Sequence, residues 1–138
     1  MLDGADVFLD TSVLLYAALS KQDAPASFEK ARQIILEENF ATSSLILTEF
    51  FDIATNRGAV PLRKQAAADW IEKLALKPCQ TVDSGLVKEG VALSAELEIP
   101  LRDALLILSA RRLSCSKIYT ERLYGLRLPD LEIINPFK

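Results

Sequence analysis

The segment Val7-Phe8-Leu9-Asp10-Thr11-Ser12-Val13-Leu14-Leu15-Tyr16-Ala17 sets an acid between a short apolar run and a longer one. Three apolar residues are too few for a helix and suit a buried strand, while the run after Asp10 has helical length. A strand that gives way at once to a helix, with an acid at the junction, is the start of a βα unit. The same alternation continues along the chain. Strands are expected at about 6–9, 40–42, 79–82, 117–120 and 131–134, and helices at about 12–20, 25–38, 44–57, 61–76, 84–98 and 102–114. Ser43 or Ser44 can cap the third helix and Gly58 can end it; Pro61 suits the first turn of the fourth, Asp83 can cap the fifth, and Pro100 breaks the chain before Asp103. Helices between short buried strands imply an α/β fold. It would be a single three-layer domain over residues 1–138, with a mostly parallel central sheet of about five strands and helices on both faces.

Four acids occupy the ends or turns of apolar elements. Asp10 closes the first strand, Glu49 interrupts Leu45-Ile46-Leu47-Thr48-Glu49-Phe50-Phe51, Asp103 opens Asp103-Ala104-Leu105-Leu106-Ile107-Leu108, and Glu121 follows Ile118-Tyr119-Thr120. At 100° per residue, Glu49 falls about 40° from both Leu45 and Ile53, inside the apolar stripe. Asp103 shares a face with Leu106, Ile107 and Ala110. A carboxylate set among apolar surface is costly without a positive partner. No Lys or Arg lies within three residues of Asp10 or Glu49, so a bound divalent cation is the economical explanation. In open α/β sheets ligands bind beyond the carboxyl ends of the strands, which is where Asp10 and Glu121 would project.

Each acid also has a plainer role open to it. Asp10 could cap the first helix, and Asp103 could be an acid favoured by the dipole at a helix start. Glu49 could pair with a distant Arg, and Glu121, beside Arg122, could be an exposed loop residue. The conjunction of four such positions argues for a site. If the acids crowd together without a cation, their repulsion predicts that amide variants keep or gain stability.

Composition narrows the chemistry. The 138 residues contain no histidine, which excludes Ser-His-Asp triads, histidine general bases and histidine-ligated zinc. Cys79 and Cys115 have no C-x-x-C spacing and read as small buried hydrophobes in a reducing, cytoplasmic setting. The apolar stretch Val13–Leu19 is too short for a membrane span, which needs roughly 20 residues. Half of the residues are hydrophobic and only five are glycine, which argues against disorder and a glycine-rich all-β fold. With a net charge of −3 there is no global attraction to nucleic acid, so any such binding needs a local basic patch.

The motifs around these acids resemble the PIN-domain family of metal-dependent nucleases. Phe8-Leu9-Asp10-Thr11-Ser12-Val13-Leu14-Leu15-Tyr16-Ala17 resembles its first acidic motif. Ala41-Thr42-Ser43-Ser44-Leu45-Ile46-Leu47-Thr48-Glu49-Phe50 is similar to the second, Arg102-Asp103-Ala104-Leu105-Leu106-Ile107 to the third, and Tyr119-Thr120-Glu121-Arg122-Leu123 to the fourth. The ending Ile134-Asn135-Pro136-Phe137 is similar to the branch that contains VapC-type toxins. In that branch the position of Arg122 is often an Asp. Three arrangements follow: Glu121 moves in, three carboxylates and water suffice, or Arg122 supplies an internal cation that weakens metal binding.

The resemblance implies a Mg²⁺- or Mn²⁺-dependent endoribonuclease, the toxin of a toxin–antitoxin pair, with a small antitoxin partner and a homodimeric state. Asp10, Glu49, Asp103 and Glu121 would be its catalytic metal ligands, with Thr11, Ser12 and Thr120 as hydrogen-bonding neighbours. Hard divalent ions favour such an all-oxygen donor set. RNA would approach through Arg57, Arg63 and Arg122, with Lys64 and Arg127 nearby, although each of these can also be ordinary surface charge. The alternative is a catalytically weakened PIN-like module that binds RNA or protein. A receiver-like phosphoacceptor domain fits less well, lacking paired acids after the first strand and a clear Lys after the last.

Overall fold

A computed structural model describes residues 5–58, 60–123 and 125–138. Among them, five parallel strands form one sheet in the order β3-β2-β1-β4-β5: β1 (Val7–Leu9), β2 (Phe40–Ser43), β3 (Cys79–Gln80), β4 (Lys117–Tyr119) and β5 (Glu132–Ile134). Val7 of β1 is in register with Phe40 on one side and with Lys117 on the other. Every residue of β1 is buried, as expected of a central parallel strand covered on both faces.

Six helices cover the sheet: α1 (Thr11–Leu19), α2 (Pro25–Glu37), α3 (Ser44–Asn56), α4 (Lys64–Leu74), α5 (Ser84–Leu97) and α6 (Leu101–Arg112). Helix α1 packs on α2 and α3, α3 packs on α4, and α5 packs on α6. Right-handed crossovers put the first group on one face and the second on the other. The core joins Phe8, Phe40, Phe50, Ile107 and Ile118, each with 0–1% of its surface exposed. The expected α/β architecture is therefore the one observed.

Local chemistry accounts for the boundaries. Ser43 caps α3, accepting from the Ile46 N–H at 3.3 Å, while Ser44 Oγ accepts from Val82 N–H at 2.9 Å and so ties the end of β3 to the start of α3. Asp83 caps α5 through Leu86 N–H at 2.9 Å. Helix α4 begins three residues later than Pro61 suggested. The Leu62 N–H instead donates to Ala54 O at 2.8 Å, which folds the chain back on the end of α3 after Gly58 turns it with φ +92°.

The strand order reverses direction between β1 and β4. From β1 the chain moves outward through β2 to β3, then crosses to β4 and moves outward to β5 on the other side. The crevice between the carboxyl ends of β1 and β4 is the switch point at which such sheets bind ligands.

Candidate active site

Asp10 leaves β1 at that crevice. It caps α1, accepting from the Thr11 N–H at 2.6 Å through Oδ1, and its own N–H continues the sheet by donating to Tyr119 O at 3.0 Å. The residue is 2% exposed. The capping role and the site position are therefore the same placement. Its other oxygen, Oδ2, accepts from Thr120 Oγ1 at 2.6 Å, across from the end of β4. Thr120 in turn accepts from the Arg122 N–H at 2.9 Å, which fixes the direction of the hydroxyl proton toward Asp10.

Glu49 reaches the same place from α3. Its Oε1 accepts from Thr11 Oγ1 at 2.7 Å. Asp103 comes from the first turn of α6, on the opposite helical layer, and is 3% exposed. Ser12 Oγ is buried in the first turn of α1 with no hydrogen-bond partner among the described residues.

What joins the three carboxylates is Arg102. Its Nη2 donates to Asp10 Oδ1, to Glu49 Oε1 at 2.7 Å and to Thr11 Oγ1 at 3.2 Å. The Nε donates to both Glu49 oxygens, at 2.9 and 3.2 Å, and Nη1 reaches Asp103 Oδ1 at 3.4 Å. Burial pulls the Arg102 guanidinium down, yet the hydrogen bonds to Glu49 and Asp10, with their charges, outweigh it and hold its pKa above the ordinary value. A second arginine sits on the outer side. Arg122 makes a fork to Asp103, Nε to Oδ1 and Nη2 to Oδ2, both at 2.9 Å. That hydrogen-bonded pairing raises its pKa too. Three carboxylates against two guanidiniums leave one uncompensated negative charge.

Glu49 therefore has the distant arginine that its plainer reading allowed, and the same arginine compensates Asp10, where a bound divalent cation was the expectation. Arg102 lies 92 residues from Asp10 and 53 from Glu49, outside any local window, and only the packing of α6 over the sheet end brings it in. One sequence signal was available. A cation in the first turn of a helix opposes the macrodipole by about 0.3–1 kcal/mol, and Arg102 stands in the first turn of α6, a mismatch that a nearby acid relieves without saying which acid. The position of Arg122, read as a departure from the fourth motif, takes up one of the three arrangements set out for it, that of an internal cation.

The other expected site residues are placed differently. Glu121 is exposed and accepts from Tyr16 Oη at 3.0 Å, sharing none of the Arg102 contacts. Burial, then this hydrogen bond, raises the Tyr16 pKa. Arg57 and Arg63 are exposed in the α3–α4 connection. Arg57 lies eight residues past Glu49, about 12 Å along the axis of α3.

Among the described residues, no group of three or more His, Cys, Asp or Glu side chains is arranged to hold a metal ion. The donor set nonetheless fits a hard dication. Three carboxylates from three elements converge on one positive centre, and hydroxyls of Thr11 and Thr120 orient two of them. A hard dication would use these same oxygens, and Arg102 now occupies them.

A model of the PIN domain matches residues 7–122 of the chain. No curated protein matches it. Among solved structures, the fold is similar to VapC20 of Mycobacterium tuberculosis, described as a Sarcin-Ricin loop cleaving toxin, with a TM-score of 0.68 at 19% identity over 86% of this chain and 92% of that one. A toxin–antitoxin complex from Klebsiella pneumoniae gives 0.67 at 16% identity, over 95% and 98% of the two chains. VapBC2 from Rickettsia felis, bound to a DNA fragment from its promoter, gives 0.62 at 18% identity, over 93% and 96%. At these identities the likeness speaks to the fold.

Proposed function

The chain belongs to the PIN domain family, and from that premise we propose that it is a Mg²⁺- or Mn²⁺-dependent endoribonuclease acting as the toxin of a toxin–antitoxin pair. The observation that carries this reading is the convergence of Asp10, Glu49 and Asp103 on one cation position at the switch point of the sheet. These three side chains would hold the ion. When bound, the ion supplies positive charge against the phosphodiester and acidity for an attacking water. Thr11 and Thr120 keep the Glu49 and Asp10 carboxylates aimed inward by donating to them. Arg122 keeps Asp103 in place with its fork and, with half of its side chain exposed, presents guanidinium to an incoming phosphate. With no histidine in the chain, no imidazole is available to carry protons at neutral pH.

The substrate is read as RNA, with Arg57 and Arg63 as outlying contacts to its backbone. The partner is a small antitoxin, the chain a homodimer, and its setting the cytoplasm. Toxin–antitoxin complexes among the structural neighbours support the antitoxin partner. Among the described residues, no helix is long and apolar enough to cross a membrane.

A second reading is favoured by a specific observation: Arg102 and Arg122 already compensate most of the acidic charge. In that reading the chain is a catalytically weakened module that binds RNA or protein. Incubation of single-stranded RNA with the purified chain and millimolar Mn²⁺ separates the two. Cleavage that chelation stops and that Asp10→Asn abolishes is expected of the nuclease. Binding of RNA without metal-dependent cleavage, or full activity in Asp10→Asn, favours the second reading.

A further inference from the structure

We propose that Arg102 is an internal competitor for the cation position, so that a divalent ion enters the site only by exchange with the Arg102 guanidinium. The inference rests on the reading that Asp10, Glu49 and Asp103 are the metal-binding carboxylates, and it assigns to this chain a step that precedes any chemistry.

The oxygens a dication needs are the ones Arg102 uses. Its Nε and Nη2 engage both Glu49 oxygens and Asp10 Oδ1, and Nη1 faces Asp103 Oδ1. A dication at the centre of the three carboxylates would need the same inward-facing lone pairs that the Arg102 guanidinium uses, and at that separation the like charges would repel. The guanidinium has somewhere to go, because 24% of the Arg102 side chain is exposed even when it is seated. The carboxylates also stay in position when it leaves. Thr120 still donates to Asp10 and Thr11 to Glu49, while Arg122 still forks onto Asp103 from the outer side. The site is thus prearranged by groups other than Arg102, and Arg102 sets the apparent affinity for the ion. If the seated state dominates, the observed dissociation constant exceeds the intrinsic one by the inverse of the fraction in which the guanidinium is out.

Calorimetric titration of Mn²⁺ into the full chain tests the proposal. Arg102→Gln is expected to bind Mn²⁺ about tenfold or more tightly than the wild type, or to bind where the wild type shows no heat. The control Arg111→Gln, which removes a half-buried arginine paired with Asp130 away from the three carboxylates, is expected to match the wild type. Equal or weaker binding by Arg102→Gln overturns the exchange and leaves the three-carboxylate reading standing. No Mn²⁺ binding by either protein overturns both.

Since Arg102→Gln strips a cation from three carboxylates and can fail to fold, a second measurement uses the wild type alone. The Arg102 Nε–H, bonded to Glu49, is expected to give a slowly exchanging NMR signal that loses its protection at saturating Mg²⁺. Protection that persists while Mg²⁺ binds overturns the proposal.

Discussion

Asp103 receives two guanidiniums on one buried carboxylate, Arg122 at 2.9 Å through both oxygens and Arg102 at 3.4 Å. That pairing reverses the stability argument drawn from repulsion among crowded acids. Asp103→Asn removes the charge that both arginines answer. Unpairing a buried charge is strongly destabilising, and hydrogen bonds to charged groups contribute about 1.5–3 kcal/mol each. Solvent access to Arg122 reduces the cost, so a loss of about 2 kcal/mol in metal-free denaturant unfolding is expected. Unchanged or increased stability would mean that repulsion dominates after all. Single positions were unevenly legible in the sequence. Asp10, Glu49 and Asp103 could be singled out because each stands on an apolar face or at a strand end, which is a local property. Arg102 could not be paired by local reading, since its partners depend on how α6 crosses the sheet. The placement of Glu121 turned on its side chain facing Tyr16, which the alternation of β4 does not decide once the strand ends at Tyr119.

Helix α6 carries both Arg102 and Asp103, so its seating governs the geometry of the cluster. It is held by Ala104, Leu106 and Ile107, all within 2% of full burial, and by close approach of α5 at Gly90. A Cβ at Gly90 would lie 2.8 Å from Leu105 Cδ2 and 3.0 Å from Leu101 Cδ1, the first next to Ala104 and the second next to Arg102 on the same helix. Gly90→Val is therefore expected to destabilise the protein by about 1–3 kcal/mol through overpacking. Because the clash pushes on the first turn of α6, the variant should also alter the Arg102 Nε–H signal. A variant as stable as the wild type, with that signal unmoved, would show that Leu101 and Leu105 yield freely. Elements were the most legible level of this chain. Strands and helices follow apolar run lengths and caps such as Ser43 and Asp83, all of which act within a few residues. The start of α4 was the exception, because a long-range bond from Leu62 to Ala54 competes with the preference of Pro61 for a first helical turn.

For the molecule as a whole, strand order is what makes a site from dispersed residues. With β1 and β4 adjacent and their connections leaving in opposite directions, the ends of both strands open into one crevice, and α3 and α6 deliver Glu49 and Asp103 to it from opposite faces. The alternation of short strands and helices implied such a sheet, and the rule of right-handed crossovers implied two helical layers. The order itself was not written in any one segment, since β1 pairs with both β2 and β4 through backbone groups that all residues share. Whether this crevice is a metal site can be measured by soaking crystals of the full chain in Mn²⁺ and collecting anomalous diffraction. A peak bounded by the carboxylates of Asp10, Glu49 and Asp103, with the Arg102 head moved out, is the expected result. Arg102 still seated among the three carboxylates at saturating Mn²⁺, with no peak beside them, would contradict it.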